Sequence, residues 1–238
     1  MATPSADAAS ASSGKAGTSN LQPQTFSAQS RPDVAVLVVI FTVDAGQLQV
    51  LLIRRSAEPF KDFWSLPGGL LAAGESLDDA AVRKLDDETG LADVFLEQLY
   101  TFCDLDGRGS VAVAYFSLVD IRQAHLARRR AWPPAWFPVS ELPPLAFQNE
   151  AVIGYALHRL RAKLDYSNVA YSLLPAEFTL SHLQRVYEAI LARPLDKRNF
   201  RKRILSLGII VPTGRTLAEG RHRPAQLYAF RERRPVVF

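Results

Sequence analysis

The longest apolar run of the chain, Val34 to Val43, is interrupted only by Thr42 and is rich in valine. It is about ten residues long, roughly half of the ~20 that a bilayer-spanning helix needs, and its β-branched residues predict a buried strand. A second strand is predicted from Leu48 to Arg54, and the intervening Asp44-Ala45-Gly46 is typical of a hairpin turn. We therefore expect a sheet to begin here, and no membrane anchor.

A glycine-containing loop and an acidic helix are predicted next. The aromatic stretch Pro59 to Gly69 ends in Pro67-Gly68-Gly69, where consecutive glycines allow close backbone approach, so a phosphate-contacting loop is expected. From Ser76 to Thr89 apolar residues recur at helical spacing, and Gly90 is the expected C-terminal stop. The apolar positions are Leu77, Ala81 and Leu85.

Two further strands and a second helix complete the N-terminal part. Strands are predicted at Phe95 to Cys103 and Val111 to Leu118, and the Trp- and Pro-rich Ala131 to Pro144 is expected to be a rigid loop that closes the first domain. Helical periodicity returns from Asn149 to Leu164, with three leucines on one side: Leu157, Leu160 and Leu164. This helix is interpreted as a connector or dimer-forming helix, or as an ordinary packing helix.

The C-terminal part has the pattern of two helices and a hairpin. Thr179 to Leu191 has apolar residues at helical spacing, Ala192-Arg193-Pro194 breaks the pattern, and a second helix opens at Asp196 and ends at Gly208. A hairpin with a basic tip is predicted to follow, from Ile209 to Phe230. This order is that of a winged helix-turn-helix.

The polar residues of these elements suit DNA. Near the start of the second helix they are Lys197, Arg198, Asn199, Arg201 and Lys202, and on the hairpin tip they are Arg215, Arg221 and Arg223. Arginine suits guanine, asparagine suits adenine and lysine suits phosphates, so we expect the first group in the major groove of double-stranded DNA and the second on the phosphates. The alternative is a basic helix packed within an enzyme.

The charge distribution agrees with a polyanionic partner. Glu177 to Phe238 holds 13 Lys and Arg against 5 Asp and Glu, and the remainder holds 15 against 19, so the two parts carry +8 and −4. A solvated basic surface is the simpler alternative.

The composition also indicates the state of the N-terminal tail and of the single cysteine. Met1 to Arg31 is rich in Ala, Ser, Thr and Gln and lacks an apolar core, so a disordered tail is expected. Cys103 is the single cysteine, which excludes an internal disulfide and suits a reducing cytoplasm.

The acidic helix carries a specific motif. With Gly69 at its start, the pattern matches the signature Gly-x5-Glu-x7-Arg-Glu-U-x-Glu-Glu-x-Gly-U, in which U is aliphatic, except at two positions. The matching residues include Glu75, Arg83 and Glu88, and the substituted ones are Lys84 and Asp87. This resembles the Nudix box. In that family the glutamates of the helix bind Mg²⁺ or Mn²⁺, and the metal activates a water molecule that attacks a diphosphate linkage.

The substitutions damage the expected metal site. Positions 84, 87 and 88 lie on one helix face, where hard oxygen ligands would converge. An ammonium about 4 Å from the metal position adds repulsion on the order of 4 kcal/mol at an effective dielectric near 20. Asp87 is shorter than glutamate, and a misplacement of about 1 Å can reduce catalysis on the order of a hundredfold. We expect a retained pocket without efficient catalysis and no bound metal, with Asp87 and Glu88 as residual ligands if weak hydrolysis with Mg²⁺ or Mn²⁺ survives.

The alternative for this helix is an exposed charged face with two i, i+4 ion pairs, Lys84 with Glu88 and Arg83 with Asp87. For a retained pocket, the ligand phosphates are expected to meet the N–H groups of Gly68 and Gly69 and the guanidinium of Arg54 or Arg55, with Glu88 beside them. Either arginine is equally compatible with a surface charge.

A degenerate Nudix domain followed by a winged helix resembles the NrtR family of Nudix-related transcriptional regulators. Pro194 to Arg201 and Arg223 to Tyr228 are especially similar to that family, whereas Asp104 to Gly109 departs from it. The resemblance implies a homodimeric repressor of NAD biosynthesis or salvage genes that binds a palindromic operator and is released by ADP-ribose or a related nucleotide. It also implies a bacterial cytoplasmic, nucleoid-associated protein.

The expected organisation is a tail at 1–31, a Nudix α/β/α sandwich with a mixed sheet at 32–147, a connecting helix at 148–165 and a winged helix-turn-helix at 166–238. The rival hypotheses are an ADP-ribose pyrophosphatase with an accessory basic domain, and a DNA-binding scaffold with an empty pocket. Turnover with Mg²⁺ or Mn²⁺ tests the first, and calorimetry against nucleotide-sugar ligands tests the second. Adjacent nicotinamide-salvage genes would indicate NAD control, and adjacent sugar-catabolic genes would indicate another effector.

Overall fold

The computed structural model describes residues 32–92, 94–124, 126, 133–218 and 224–238, and the tail expected at 1–31 lies outside them. None of the described helices combines the length and the apolar character that crossing a bilayer requires.

A seven-stranded mixed sheet forms the N-terminal part. Its strands are β1 (Val34–Asp44), β2 (Gln47–Arg54), β3 (Trp64–Ser65), β4 (Gly68–Leu70), β5 (Glu97–Cys103), β6 (Val111–Leu118) and β7 (Ala135–Pro138). The order is β3-β2-β1-β6-β5, with β4 paired to β1 and β7 paired to β2. β1 and β6 are parallel, whereas the other pairs are antiparallel.

The first hairpin turns where the sequence predicts it. Asp44 pairs with Gln47, and the two residues between them, Ala45 and Gly46, have φ angles of 46° and 79°. Two successive positive φ angles are typical of the type I′ turn, whose twist matches that of the flanking strands. The hairpin prediction is confirmed.

Both faces of the sheet are covered, which explains why β1 is apolar at nearly every position. Val36, Val38 and Ile40 pack towards helix α1 (Leu77–Thr89), and Val39 and Phe41 pack towards helix α2 (Asn149–Tyr166). The α/β/α sandwich with a mixed sheet is therefore confirmed.

Two expected loops contain strands. Within Ala131 to Pro144, Ala135–Pro138 forms β7, so the prediction of a loop is wrong there, whereas residues 131 and 132 lie outside the described part. A proline-bounded strand is compatible with an edge position, and among the described strands β7 pairs with β2 alone. Within Pro59 to Gly69, Trp64–Ser65 and the beginning of Gly68–Leu70 are also paired, in strands too short to produce a periodic pattern.

The C-terminal part is the predicted winged helix-turn-helix. Its elements are a 3₁₀ helix (Val169–Leu173), β8 (Phe178–Thr179), α3 (Leu180–Leu191), α4 (Lys197–Ser206), β9 (Ile210–Leu217) and β10 (Ala225–Phe230). The wing sheet has the order β8-β10-β9. The 3₁₀ helix and β8 were not predicted, because neither is long enough to show a hydrophobic period.

One hydrophobic core runs through both parts. Phe41 and Val50 of the sheet belong to the same buried cluster as Leu183, Ile190 and Phe200 of the helix-turn-helix. α3 contacts β1 and β2 directly. The two parts are therefore packed together within one protomer rather than joined only by a linker.

Helix α2 contributes to this core. Leu160 and Leu164 are buried and Leu157 is partly buried against the same cluster. The leucine side of α2 thus faces the interior of its own chain, as expected for a packing helix.

Candidate effector pocket and DNA-recognition helix

Local caps fix the register of α1. The Ser76 hydroxyl accepts a hydrogen bond from the N–H of Asp79 at 3.1 Å, as an N-cap should. Gly90, with φ 76°, donates its N–H to the carbonyl of Asp86 at 2.8 Å. The predicted start and stop are confirmed, and they place positions 84, 87 and 88 on one side of the helix.

Glu75 and Arg83 join the preceding loop to the helix. The guanidinium donates two hydrogen bonds to the carboxylate, at 2.6 and 2.7 Å. These bonds, followed by one from the N–H of Ala72, lower the pKa of Glu75 to about 2. Arg83 also lies 3.8 Å from Asp87, which confirms that expected ion pair. Glu75 therefore holds the loop in position.

Glu88 and Lys84 both face the strand β4. Glu88 Oε2 accepts a hydrogen bond from the N–H of Gly68 at 2.8 Å. Lys84 is directed at Gly69, where a Cβ atom built on the glycine would lie 2.8 Å from Nζ and 2.9 Å from Cε. The Lys84–Glu88 ion pair of the alternative interpretation does not describe this arrangement, because each side chain contacts a different glycine of the strand.

The residues on this face do not fit a divalent cation. Position 84 contributes a cation, Asp87 is directed towards Arg83 with its side chain 59% exposed, and Glu88 is bonded to Gly68. In the part of the chain that the structure describes, no group of three His, Cys, Asp or Glu residues could hold a metal ion. Mg²⁺ or Mn²⁺, which the Nudix fold implies, therefore lacks a suitable ligand set.

Arg54 and Arg55 are anchored by the loop that follows β2. Arg54 Nε donates to the carbonyl of Asp62 at 3.0 Å, and Arg55 Nε donates to the carbonyl of Pro59 at 3.0 Å. The Arg55 guanidinium also lies 4.4 Å above the Phe147 ring. This contact was not predicted, because the two residues are far apart in sequence.

Burial lowers the pKa of Arg55, while the nearby carboxylates of Glu88 and Glu58 raise it. Gly68 already uses its N–H for Glu88, so in this conformation that group is not directed at a ligand phosphate.

Helix α4 presents its polar residues outward. Asp196 caps it by accepting a hydrogen bond from the N–H of Asn199 at 2.8 Å, and Phe200 and Ile204 face the core. The five predicted DNA-contacting side chains are exposed: Lys197, Arg198, Asn199, Arg201 and Lys202. Arg203, which follows Lys202, instead donates a hydrogen bond to Asp165 of α2 at 2.8 Å. This ion pair links α4 to α2.

The wing differs in detail from the prediction. Arg215 lies within strand β9, not at the tip, because the pairing of β9 with β10 continues through Leu217 and Ala225. Its side chain is 73% exposed and donates to Glu177 at 2.9 Å. Arg221 and Arg223 lie outside the described residues.

Comparisons with known proteins agree with this two-part architecture. The model of the NUDIX domain matches residues 31–158, and that of the NrtR DNA-binding winged helix domain matches residues 170–230. The ADPR responsive transcriptional repressor NtrR of Acinetobacter baylyi is 38% identical over 206 residues, which make up 84% of this chain and 82% of that protein.

Two solved structures extend the similarity. A crystal structure of Shewanella oneidensis NrtR complexed with a 27mer DNA has a TM-score of 0.73 and 36% identity, covering 83% of this chain and 93% of that one. The NUDIX domain of Shewanella oneidensis NrtR complexed with ADP ribose has a TM-score of 0.51 and 35% identity, covering 59% and 94%. With a winged helix packed on a Nudix domain whose box helix carries a lysine at position 84, the chain belongs to the NrtR family of Nudix-related transcriptional regulators.

Proposed function

We propose that this chain is a DNA-binding transcriptional repressor whose Nudix part binds ADP-ribose as its effector. The observation that carries the proposal is the combination of an exposed polar face on α4 with a Nudix box helix whose described residues lack a suitable metal ligand set. The bound DNA and the ADP-ribose of the Shewanella structures support both partners.

The recognition helix supplies the chemistry for DNA. Arg198 and Asn199 lie in the first turn of α4, where side chains reach base edges, and Lys202 lies one turn later, suited to a phosphate. In the described part of the chain, Arg198 and Lys202 form no ion pair, so their charges are available to a polyanion.

The signal is proposed to pass through a homodimer. Two copies would place their α4 helices about one DNA turn apart on a palindromic operator. Because the sensor and the helix-turn-helix share one core, ADP-ribose would act by changing the arrangement of the two protomers, not by moving α4 within one. DNA release then reflects a loss of simultaneous contact with both half-sites.

Each part of the chain has a proposed role. Residues 32–147 sense the effector, residues 148–165 connect the two parts, and residues 166–238 bind DNA. We further propose that the regulated genes serve NAD biosynthesis or salvage, and that the repressor acts at the nucleoid in the bacterial cytoplasm.

Fluorescence anisotropy with labelled DNA from upstream of the gene tests the proposal. A sequence-specific complex should form at low salt, weaken steeply as salt rises, and dissociate on addition of ADP-ribose. Arg198→Ala should weaken specific binding by about 10-fold to 100-fold, and Arg159→Ala, at an exposed position of α2, should not. Absence of a specific complex, or a complex indifferent to ADP-ribose, would contradict the proposal.

A second candidate is an ADP-ribose pyrophosphatase. It is favoured by the match to the NUDIX domain and by the retained Glu75–Arg83 contact and Glu88. Turnover of ADP-ribose with Mg²⁺ or Mn²⁺ at rates typical of enzymes, about 1 per second or more, would support it over the repressor.

A further inference from the structure

Lys84 occupies a position from which an ammonium group can act on a ligand. It lies on the side of α1 that faces β4, and its alkyl chain crosses Gly69 so closely that a Cβ atom there would lie 2.9 Å from Cε. Only a glycine gives the side chain this path. The end of Lys84 is thereby held beside the Gly68–Gly69 strand rather than extended into solvent.

The neighbouring carboxylates are bonded to other donors. Glu75 accepts two hydrogen bonds from Arg83, Asp87 lies beside the same guanidinium, and Glu88 accepts from the N–H of Gly68. Within the described residues, Lys84 forms no ion pair. A half-buried ammonium without a carboxylate partner is suited to an incoming anion.

The location of this charge coincides with the damaged metal site. Lys84 shares a helix face with positions 87 and 88, where the Nudix box places the ligands of a divalent cation. A lysine there brings positive charge to the same region without needing carboxylates to hold it.

We propose that Lys84 takes the place of the divalent cation and binds the diphosphate group of the effector directly, so that effector binding does not require a metal. This inference rests on the proposed function, because it assumes a nucleoside diphosphate ligand in the Nudix pocket. The lysine would then allow the site to bind a diphosphate although its described residues lack a metal ligand set.

Isothermal titration calorimetry of the full chain with ADP-ribose tests the inference, in EDTA and in Mg²⁺. The dissociation constant of the wild type should agree within about twofold between the two buffers. Lys84→Gln should weaken binding by about 10-fold to 100-fold in both, the loss expected for one charge-assisted hydrogen bond. Lys84→Arg should retain more affinity than Lys84→Gln, because it keeps the charge.

Arg159→Gln is the matched control, since it removes one positive charge from an exposed position of α2 and should leave ADP-ribose affinity unchanged. The inference is overturned if the wild type binds ADP-ribose only with Mg²⁺. It is also overturned if a folded Lys84→Gln protein binds ADP-ribose with unchanged affinity. Absence of ADP-ribose binding by the wild type in both buffers would instead refute the proposed function itself.

Discussion

Gly68 and Gly69 are adjacent in β4 but face different neighbours. A Cβ atom on Gly68 would overlap the backbone carbonyl of Val36, whereas one on Gly69 would meet the flexible end of Lys84. The φ angles, 159° and 157°, are nearly equal, so backbone conformation contributes similarly to both substitutions. The difference between two alanine variants therefore reports on the neighbour.

Gly68→Ala should lower the free energy of unfolding more than Gly69→Ala, by about 1–3 kcal/mol, because backbone cannot move aside as a lysine side chain can. Urea unfolding measures this difference. Gly69→Ala should instead weaken ADP-ribose binding by displacing Lys84. Equal destabilisation by the two substitutions would show that the contact with Val36 is relieved at little cost.

The Glu75–Arg83 contact makes a pH-dependent contribution to stability. Because the pKa of Glu75 in the folded protein, about 2, lies below its ordinary value of 4.5, the ionised carboxylate stabilises the fold above about pH 4.5. This stabilisation is lost as the pH falls from there towards 2. The difference in unfolding free energy between wild type and Glu75→Gln should therefore be constant near neutrality and shrink below about pH 4.5.

Asp86→Asn provides the comparison for that titration, since Asp86 is exposed on the same helix. It removes one carboxylate from α1 without touching the Glu75–Arg83 contact, and its unfolding free energy is measured over the same pH range. A Glu75→Gln difference that is independent of pH from 7 to 3 would contradict the assigned role of the Arg83 contact.

At the scale of elements, the stability of α4 depends on its first turn. Asp196 accepts a hydrogen bond from the N–H of Asn199, and this bond orders the turn that carries Lys197 and Arg198. Asp196→Ala should lower the free energy of unfolding by about 1 kcal/mol, and Asp196→Asn, which can still cap the helix, by less. Chemical denaturation distinguishes them, and an equal loss in both variants would assign the effect to charge instead of capping.

Elements with local signals were predictable, and those that depend on distant contacts were not. Ser76, Gly90 and Asp196 mark helix ends through bonds to residues three or four positions away, so the sequence reveals them. β3 and β4 exist only because β2 and β1 offer pairing partners. The same distinction holds in the site: the box motif predicted the face of α1, but the direction of Lys84 depends on packing against Gly69.

The position of the C-terminal segment could not be predicted from the sequence either. Asn168, after α2, donates its side-chain amide to the carbonyls of Glu232 and Arg234 and accepts from the N–H of Val236. These bonds tie the last residues of the chain to the junction between its two parts. No sequence pattern indicated them, because the partners are more than sixty positions apart.

At the scale of the whole molecule, the shared core joins the sensor sheet to the DNA-binding part, and α1 packs on the opposite face of the same sheet. Phe41 and Leu183 belong to one buried cluster, so α3 cannot unfold without exposing apolar surface of the sensor sheet. Residues 32–238 should therefore unfold in a single transition, and calorimetry should give equal calorimetric and van't Hoff enthalpies for that transition.

Ligand binding gives this coupling a sharper test. ADP-ribose at 100 times its dissociation constant should raise the free energy of unfolding by about 2.7 kcal/mol, since it binds the folded state alone. Because α1 and α3 pack on opposite faces of one sheet, the most slowly exchanging amides of α3 should gain as much protection as those of α1 if the two parts unfold together. Hydrogen exchange followed by mass spectrometry measures both. Protection confined to α1 would mean that the sensor and the helix-turn-helix open independently, which would contradict the single unfolding transition.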